Sequence, residues 1–365
     1  MVRTMKRIMF LLVCVLVCFQ LSAILPQACA FADDEAEKDY TLMVYMVGSD
    51  LESDYGEATR AMGQMLSAAD REKTNILCMT GGATRWISGS QDPEKICIYQ
   101  ISGASRRRPV KIWEGPKMNM GEPETLQFFL NYCDENFPAK NCMLILWGYG
   151  AGPQKGFGFD YLYDRDPLTL AEMDQAFRGS PFNGEKKLSW IIFDSCFMGN
   201  LEVAQSLSPY ASYLVADELS GTGFYYQFLN VLNAQTSTEE VSKAIVDDYY
   251  QPANTMRADI SISCVNLSEL NPVLEARNNL ISALKEQTDE MLFKKILAES
   301  NLTDRLKYVG LEYKLYDLGL LALNSKEYTP QEADALLEAL KTAVVYTQGN
   351  VENAVGLSTY IDNAE

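Results

Sequence analysis

Short, uninterrupted apolar runs alternating with amphipathic stretches limit the fold of this chain more than any other feature. The runs fall at residues 40–47, 75–80, 96–101, 142–148, 190–194, 213–216 and 260–266. Several are apolar at successive positions rather than at every second one, the pattern of strands covered on both faces. Between them apolar residues recur at helical spacing, predicting helices over 56–69, 123–136, 169–177, 201–207 and 237–250. Strand-helix-strand alternation places strands side by side and parallel, joined by right-handed crossovers. The expected fold over residues 40–267 is α/β, a three-layer α/β/α sandwich around a mostly parallel sheet. After about Ser268 the texture turns helical, with candidates at 270–285, 291–300 and 330–347, so residues 268–365 are expected to form a helical or α/β extension. Residues 356–361 read as one more strand, met at the end of the sequence as in a longer chain cut short.

The chain has 365 residues, 47% of them hydrophobic and 22% charged, enough to bury one large core. Arg3, Lys6 and Arg7 precede an apolar run at 8–18, and small residues follow at Ala28, Ala30 and Ala32. That is the layout of a signal peptide over residues 1–32, because the run is shorter than the roughly 20 residues of a bilayer span. The acidic stretch 33–39 reads as a flexible start of the mature chain. The mature protein is thus expected to be secreted, extracellular or at the cell surface, with no membrane contact once the leader is cut. Forty-nine acidic and 31 basic residues give a net charge of −18, which disfavours nucleic acid and attracts cationic partners such as basic peptides.

Removing the leader leaves six cysteines, Cys78, Cys97, Cys133, Cys142, Cys196 and Cys264, without CxxC or CxxH spacing. No zinc site is expected, and buried free thiols are the default. Histidine is absent altogether. Every Ser-His-Asp or Cys-His constellation and every HExxH site is therefore excluded within the chain. No cofactor or metal is called. Acidic loop residues such as Asp160, Asp164 and Asp166 are calcium candidates, though scattered carboxylates are usually just solvated.

Two strand exits are placed where open α/β sheets gather reactive groups, beyond the carboxyl ends of strands. The first is Leu144-Ile145-Leu146-Trp147-Gly148-Tyr149-Gly150-Ala151-Gly152, and the second is Ile191-Ile192-Phe193-Asp194-Ser195-Cys196-Phe197-Met198-Gly199-Asn200. The glycines of the first do not follow GxGxxG spacing, and the residues after them are not expected to open a helix, which argues against a dinucleotide loop. In the second, a helix starting after Gly199 would lend Cys196 the N-terminal field that favours thiolate.

Together these exits resemble the paired signatures of the clostripain family of cysteine peptidases, in the caspase-like clan: a strand ending Trp-Asp-His-Gly-x-Gly and another ending Asp-Ala-Cys-x-Met-Gly. The residues Thr41-Leu42-Met43-Val44-Tyr45-Met46 with Asp50-Leu51-Glu52 also match. So do Val215-Ala216-Asp217-Glu218 with Gly221-Thr222-Gly223, Leu315-Tyr316-Asp317-Leu318 and Gly356-Leu357-Ser358-Thr359-Tyr360, so the resemblance spans about residues 40–360. It implies a caspase-like fold with Cys196 at the nucleophile position. Gly150 and the Cys196 N–H would stabilise an oxyanion, and Asp194, with Asp217 as a second contributor, would line a pocket for Arg or Lys. Where the family has Asp-His this chain has Gly148-Tyr149, and Phe224 stands where the family usually has Trp.

That departure bears on proton transfer. A cysteine peptidase needs a thiolate to attack and an acid to protonate the leaving amine, and one imidazole serves both. At an unperturbed pKa of about 10, Tyr149 would be roughly 0.1% phenolate at pH 7. Loss of a triad histidine costs on the order of 10⁶ in rate. The expected function is a catalytically inactive pseudo-peptidase that keeps Cys196 and an acidic pocket for Lys- or Arg-containing peptides or for a protein partner. The alternative is an active cysteine endopeptidase cleaving after Arg or Lys with another base, Glu218 or a histidine from a partner chain. A structural remnant would bind nothing. Without a base, the loop 152–166 is not expected to be cut by the protein itself at Lys155 or Arg165.

Overall fold

The structure, a computed structural model, describes residues 37–68, 73–89, 91–101, 108–221, 223–256, 258–303 and 314–362. The leader expected over 1–32 lies outside the described residues, as does the acidic stretch up to residue 36. Residues 38 and 39, expected to be part of that flexible stretch, instead begin the first strand, and Asp39 accepts a hydrogen bond from Lys140 at 2.8 Å.

Thirteen strands are described: β1 (Lys38–Val47), β2 (Thr74–Gly81), β3 (Lys95–Gln100), β4 (Val110–Pro116), β5 (Ala139–Trp147), β6 (Phe157–Asp160), β7 (Asp166–Leu168), β8 (Leu188–Asp194), β9 (Ala211–Asp217), β10 (Ser261–Asn266), β11 (Leu315–Asp317), β12 (Val344–Gly349) and β13 (Ser358–Tyr360). Nine of them form one sheet in the order β12-β10-β9-β8-β5-β1-β2-β3-β4. Its five central strands, from β9 to β2, are parallel, and the two strands at each edge are antiparallel to their neighbours. β6 pairs with β7, and β11 with β13.

Successive side chains on a strand leave opposite faces, and here both faces are covered. Met43, Tyr45, Leu144, Leu146, Ile191 and Phe193 join one core with the helices Pro123–Asn136, Leu170–Arg178, Leu201–Leu207, Leu270–Gln287 and Pro330–Ala343. Leu42, Val44, Met46, Met143, Ile145, Trp190 and Ile192 join the other with the helices Glu57–Ala68 and Thr238–Met256. Burial of both faces is what made these strands read as unbroken apolar runs, and it gives the three-layer α/β/α arrangement.

Five strands were not expected from the sequence: the short β6, β7 and β11 and, in the large sheet, β4 and β12. β4 is an edge strand flanked by Pro109 and ending at Pro116, with Lys111 and Glu114 exposed. Its polar face keeps the edge from pairing further, and it carries no apolar run to find. The helix expected over 330–347 stops at Ala343, where the chain turns directly into β12. No glycine or proline marks that break, so helical spacing carried the expectation too far. The described residues after Ser268 share the core of β8 and β9, and β12 completes one edge of the sheet.

Between β1 and β5 the strand order switches direction: from β1 the chain moves outward to β2, and from β5 it moves the other way to β8 and β9. A crevice opens beyond the carboxyl ends of strands at such a point. No helix among the described residues is long and apolar enough to cross a membrane. The fully buried ring of Phe193 meets Phe157 edge-on at 5.9 Å and ties the Cys196 strand to the loop of the neighbouring exit. Phe193→Ala is expected to cost ~3–5 kcal/mol, read as a lower midpoint in urea unfolding at unchanged slope.

Candidate active site

The exits of β5 and β8 meet by backbone contact. At Gly148 the chain leaves β5 with φ +146°, and a Cβ there would stand 2.9 Å from the Val47 carbonyl oxygen across the switch point. At Gly150 a Cβ would stand 2.0 Å from the carbonyl oxygen of Cys196. A side chain at either position would push the two exits apart, so both glycines are set by close approach. Gly150 faces Phe157 across an isolated bridge made by its neighbours: Gly158 N–H donates to the Tyr149 carbonyl at 2.7 Å and Ala151 N–H to that of Gly156 at 3.0 Å. The segment after Gly152, expected not to open a helix, forms a single turn over Gly152–Lys155 before β6.

The Cys196 turn is held from three sides. Phe197 sits at φ 60°, a left-handed conformation costly for a side-chain-bearing residue. Its N–H donates to Leu219 O at 2.9 Å, and Gly199 N–H donates to Asp217 O at 2.8 Å, so the loop after β9 supports the turn. Asn200 caps the helix Leu201–Leu207 by accepting from Val203 N–H at 3.0 Å. From the C-terminal segment, Ser358 donates both its N–H (2.9 Å) and its hydroxyl (3.1 Å) to Gly199 O. Glu202 accepts from the Thr359 hydroxyl at 2.8 Å and from Tyr360 N–H at 3.1 Å.

Electrostatics at the turn run against the expectation from sequence. Burial pushes the Cys196 thiol up to about 11; a hydrogen bond from the Gly221 backbone opposes this, and Asp217 and Asp194 add smaller upward pushes. The helix after Gly199 begins five residues beyond the sulfur and spends its first turn on Asn200, so it supplies no thiolate. Tyr149 is half-buried, and its hydroxyl is held protonated first by burial and then by the Asp50 carboxylate, with Tyr161 and Cys196 adding to the effect.

The acids are buried. Asp194 is 7% exposed and accepts from the Tyr226 hydroxyl at 2.7 Å; burial lifts its carboxyl to about 7. Asp217 is fully buried, and burial lifts it to about 7 as well. One of its oxygens accepts from the N–H groups of Leu219 (2.9 Å) and Ser261 (3.2 Å), and the other has no hydrogen-bond partner. Glu218, the alternative base, is buried beside Asp317 and held protonated by burial and by that second carboxyl. A protonated carboxyl cannot take a proton from a thiol. Of the calcium candidates, Asp160 accepts from the N–H groups of Met120 and Leu162, each at 2.8 Å, and Asp166 from the Asn119 amide at 2.6 Å. No group of three or more Cys, Asp or Glu is arranged to hold a metal ion among the described residues. All six cysteines named above are free thiols.

Tyr226, Asp248 and Tyr249 belong to this site and were not singled out from sequence. Asp248 faces the amides of Gln227, Tyr226 and Phe228, and burial lifts it to about 6. It follows Val241 and Ile245 at helical spacing on the apolar face of its helix, and a charge on that face was the available signal.

A profile of the Clostripain family matches residues 44–362. The chain belongs to the clostripain family. Clostripain of Hathewaya histolytica is 22% identical over 68% of this chain, which spans about 58% of that protein's length. Among solved structures, a secreted C11 cysteine protease from Bacteroides thetaiotaomicron with an irreversible peptide inhibitor is 17% identical, covering 89% of this chain and 93% of its own, with a TM-score of 0.69. An inactive zymogen C11 protease from Parabacteroides distasonis is 19% identical, covering 90% and 93%, with a TM-score of 0.68. At these identities the likeness establishes the fold that clostripain-family proteins share.

Asp194 and Asp217 hold protons when folded up to about pH 7, against roughly pH 3.9 when unfolded. Between those values the folded state binds more protons, so the stability these groups add in acid is lost as pH rises from about 4 to 7. The urea midpoint is expected to be higher at pH 5 than at pH 8, and Asp194→Asn to flatten that slope.

Proposed function

We propose that this chain is a catalytically silent, exported member of the clostripain family that binds Lys- or Arg-containing segments rather than cutting them. One observation carries the proposal: the polypeptide has no histidine, and the residue beside the nucleophile position is a tyrosine that stays protonated. In this reading Tyr149 stands where the family's imidazole would be. It can donate a hydrogen bond but cannot shuttle a proton at neutral pH. Cys196, with its thiol near 11, is almost entirely uncharged at pH 7 and is a poor nucleophile. The Gly150 and Cys196 amides are left as an anion-binding pair without an attacking group.

Export rests on the basic-apolar-small layout of residues 1–32 and is tested by the size and start of the protein recovered from the medium. Ligand binding rests on charge. Asp248 acts on the buried Asp194, and Asp194 and Asp217 both act on Cys196, in a chain of net charge −18; a guanidinium or ammonium group would be their natural counter-ion. The active reading would need a histidine from another chain, since Glu218 is already protonated.

The purified protein is expected to show no hydrolysis of a fluorogenic arginyl amide above buffer from pH 5 to 9, and no internal cleavage at Lys155 or Arg165. Turnover that disappears in Cys196→Ser would refute the inactive reading. Tyr149→His alone is expected to restore measurable amidase activity. A carboxylate cannot be returned at Gly148, whose φ and contact with Val47 O exclude a side chain.

Binding of an arginyl peptide, followed by calorimetry, is expected to tighten by roughly tenfold from pH 6 to pH 8 as the acids near 7 ionise, and to lose this dependence in Asp194→Asn.

A further inference from the structure

The reading above makes Asp194 a receptor for a basic side chain, yet the carboxyl is already occupied. The Tyr226 hydroxyl donates to Asp194 Oδ2 at 2.7 Å, and the Phe224 backbone reaches the same carboxyl. Tyr226 is fully buried, with Phe224 and Phe228 packed against it; Phe224 in turn meets Tyr249 edge-on at 4.7 Å. These four aromatic side chains belong to one packed cluster, from which the Tyr226 hydroxyl reaches Asp194.

The segment that carries Tyr226 is strained, and only alternate residues of it, Gly223, Tyr225 and Gln227, reach the surface. Tyr226 has φ 61° and ψ 21°, left-handed values that a bulky side chain adopts only under constraint, and Gly223 before it has φ +85°. Behind the segment an open surface cleft of about 560 Å³ is lined by Arg60, Gln64, Tyr225 and Gln227. The segment thus lies between a buried acid and free volume.

We propose that Tyr226 is a resident plug of the Asp194 pocket, its hydroxyl taking the carboxylate oxygen that a basic side chain would otherwise take, so that ligand enters only when residues 223–228 swing toward the outer cleft. A neutral hydroxyl holds a carboxylate less strongly than a guanidinium, whose charge-assisted paired hydrogen bonds are roughly twice as strong. Arginine therefore displaces the plug where a neutral side chain does not. Apparent affinity is reduced by the fraction of molecules that are closed. The plug rests on the basic-ligand reading of Asp194 but makes a separate claim about access.

Two measurements on the full chain test it, using an acetyl-arginyl peptide and the same peptide with citrulline in place of arginine. In calorimetry Tyr226→Phe is expected to bind the arginyl peptide about tenfold more tightly than the unaltered protein. In the unaltered protein, nitration of Tyr226 by tetranitromethane, read by peptide mass mapping, is expected to be slow alone, fast with the arginyl peptide and slow with the citrulline peptide. The nitration result does not depend on the variant folding. Arginyl binding that leaves Tyr226 protected, or that Tyr226→Phe leaves unchanged, overturns the plug while leaving the ligand reading intact. No binding to either protein removes the ligand reading and the plug with it.

Discussion

The whole site depends on one steric contact, the crossing of Gly150 against the carbonyl of Cys196. Adjacent parallel strands β5 and β8 end at the same level, with Trp147 paired to Asp194, so their exits must share one small space. They share it only because the first exit carries glycines at 148 and 150. From that contact follow the approach of Tyr149 to Cys196 and the need for support of the Cys196 turn from the loop after β9. The same contact explains why a histidine can be tested at 149 but no residue other than glycine fits at 148.

Much of this was legible in the sequence because its cause is local. Continuous apolar runs mark strands covered on both faces, and all seven runs became strands of the large sheet. The two exits were legible for the same reason: glycines and a cysteine just past the end of an apolar run. What was not legible depends on partners distant in the chain. β4 and β12 exist because a sheet edge was there to receive them. The state of Cys196 was misjudged because sequence shows the helix after it and not the burial of the sulfur. Tyr226 lies 32 residues from its partner Asp194, and nothing local to either announces their hydrogen bond.

Proton affinity links these observations. Burial drives each ionisable group at the site toward its neutral form: thiol, phenol and carboxyl alike are protonated near neutral pH or just below it. In an active cysteine peptidase one member of such a set would be a base with a pKa near 7. Here the groups near 7 are the buried carboxyls of Asp194 and Asp217, which in the proposed reading pair with a positive charge.

The bond from Ser358 to Gly199 joins residues 159 positions apart and also orders events in time. A ribosome adding roughly 5–20 residues per second makes the Cys196 turn some ~10–30 s before the strand that braces it. The central sheet can collapse in that interval, but the turn at its edge waits for the last strand. The thiol-bearing loop is therefore among the final parts of the protein to take shape, after the scaffold that surrounds it has already formed.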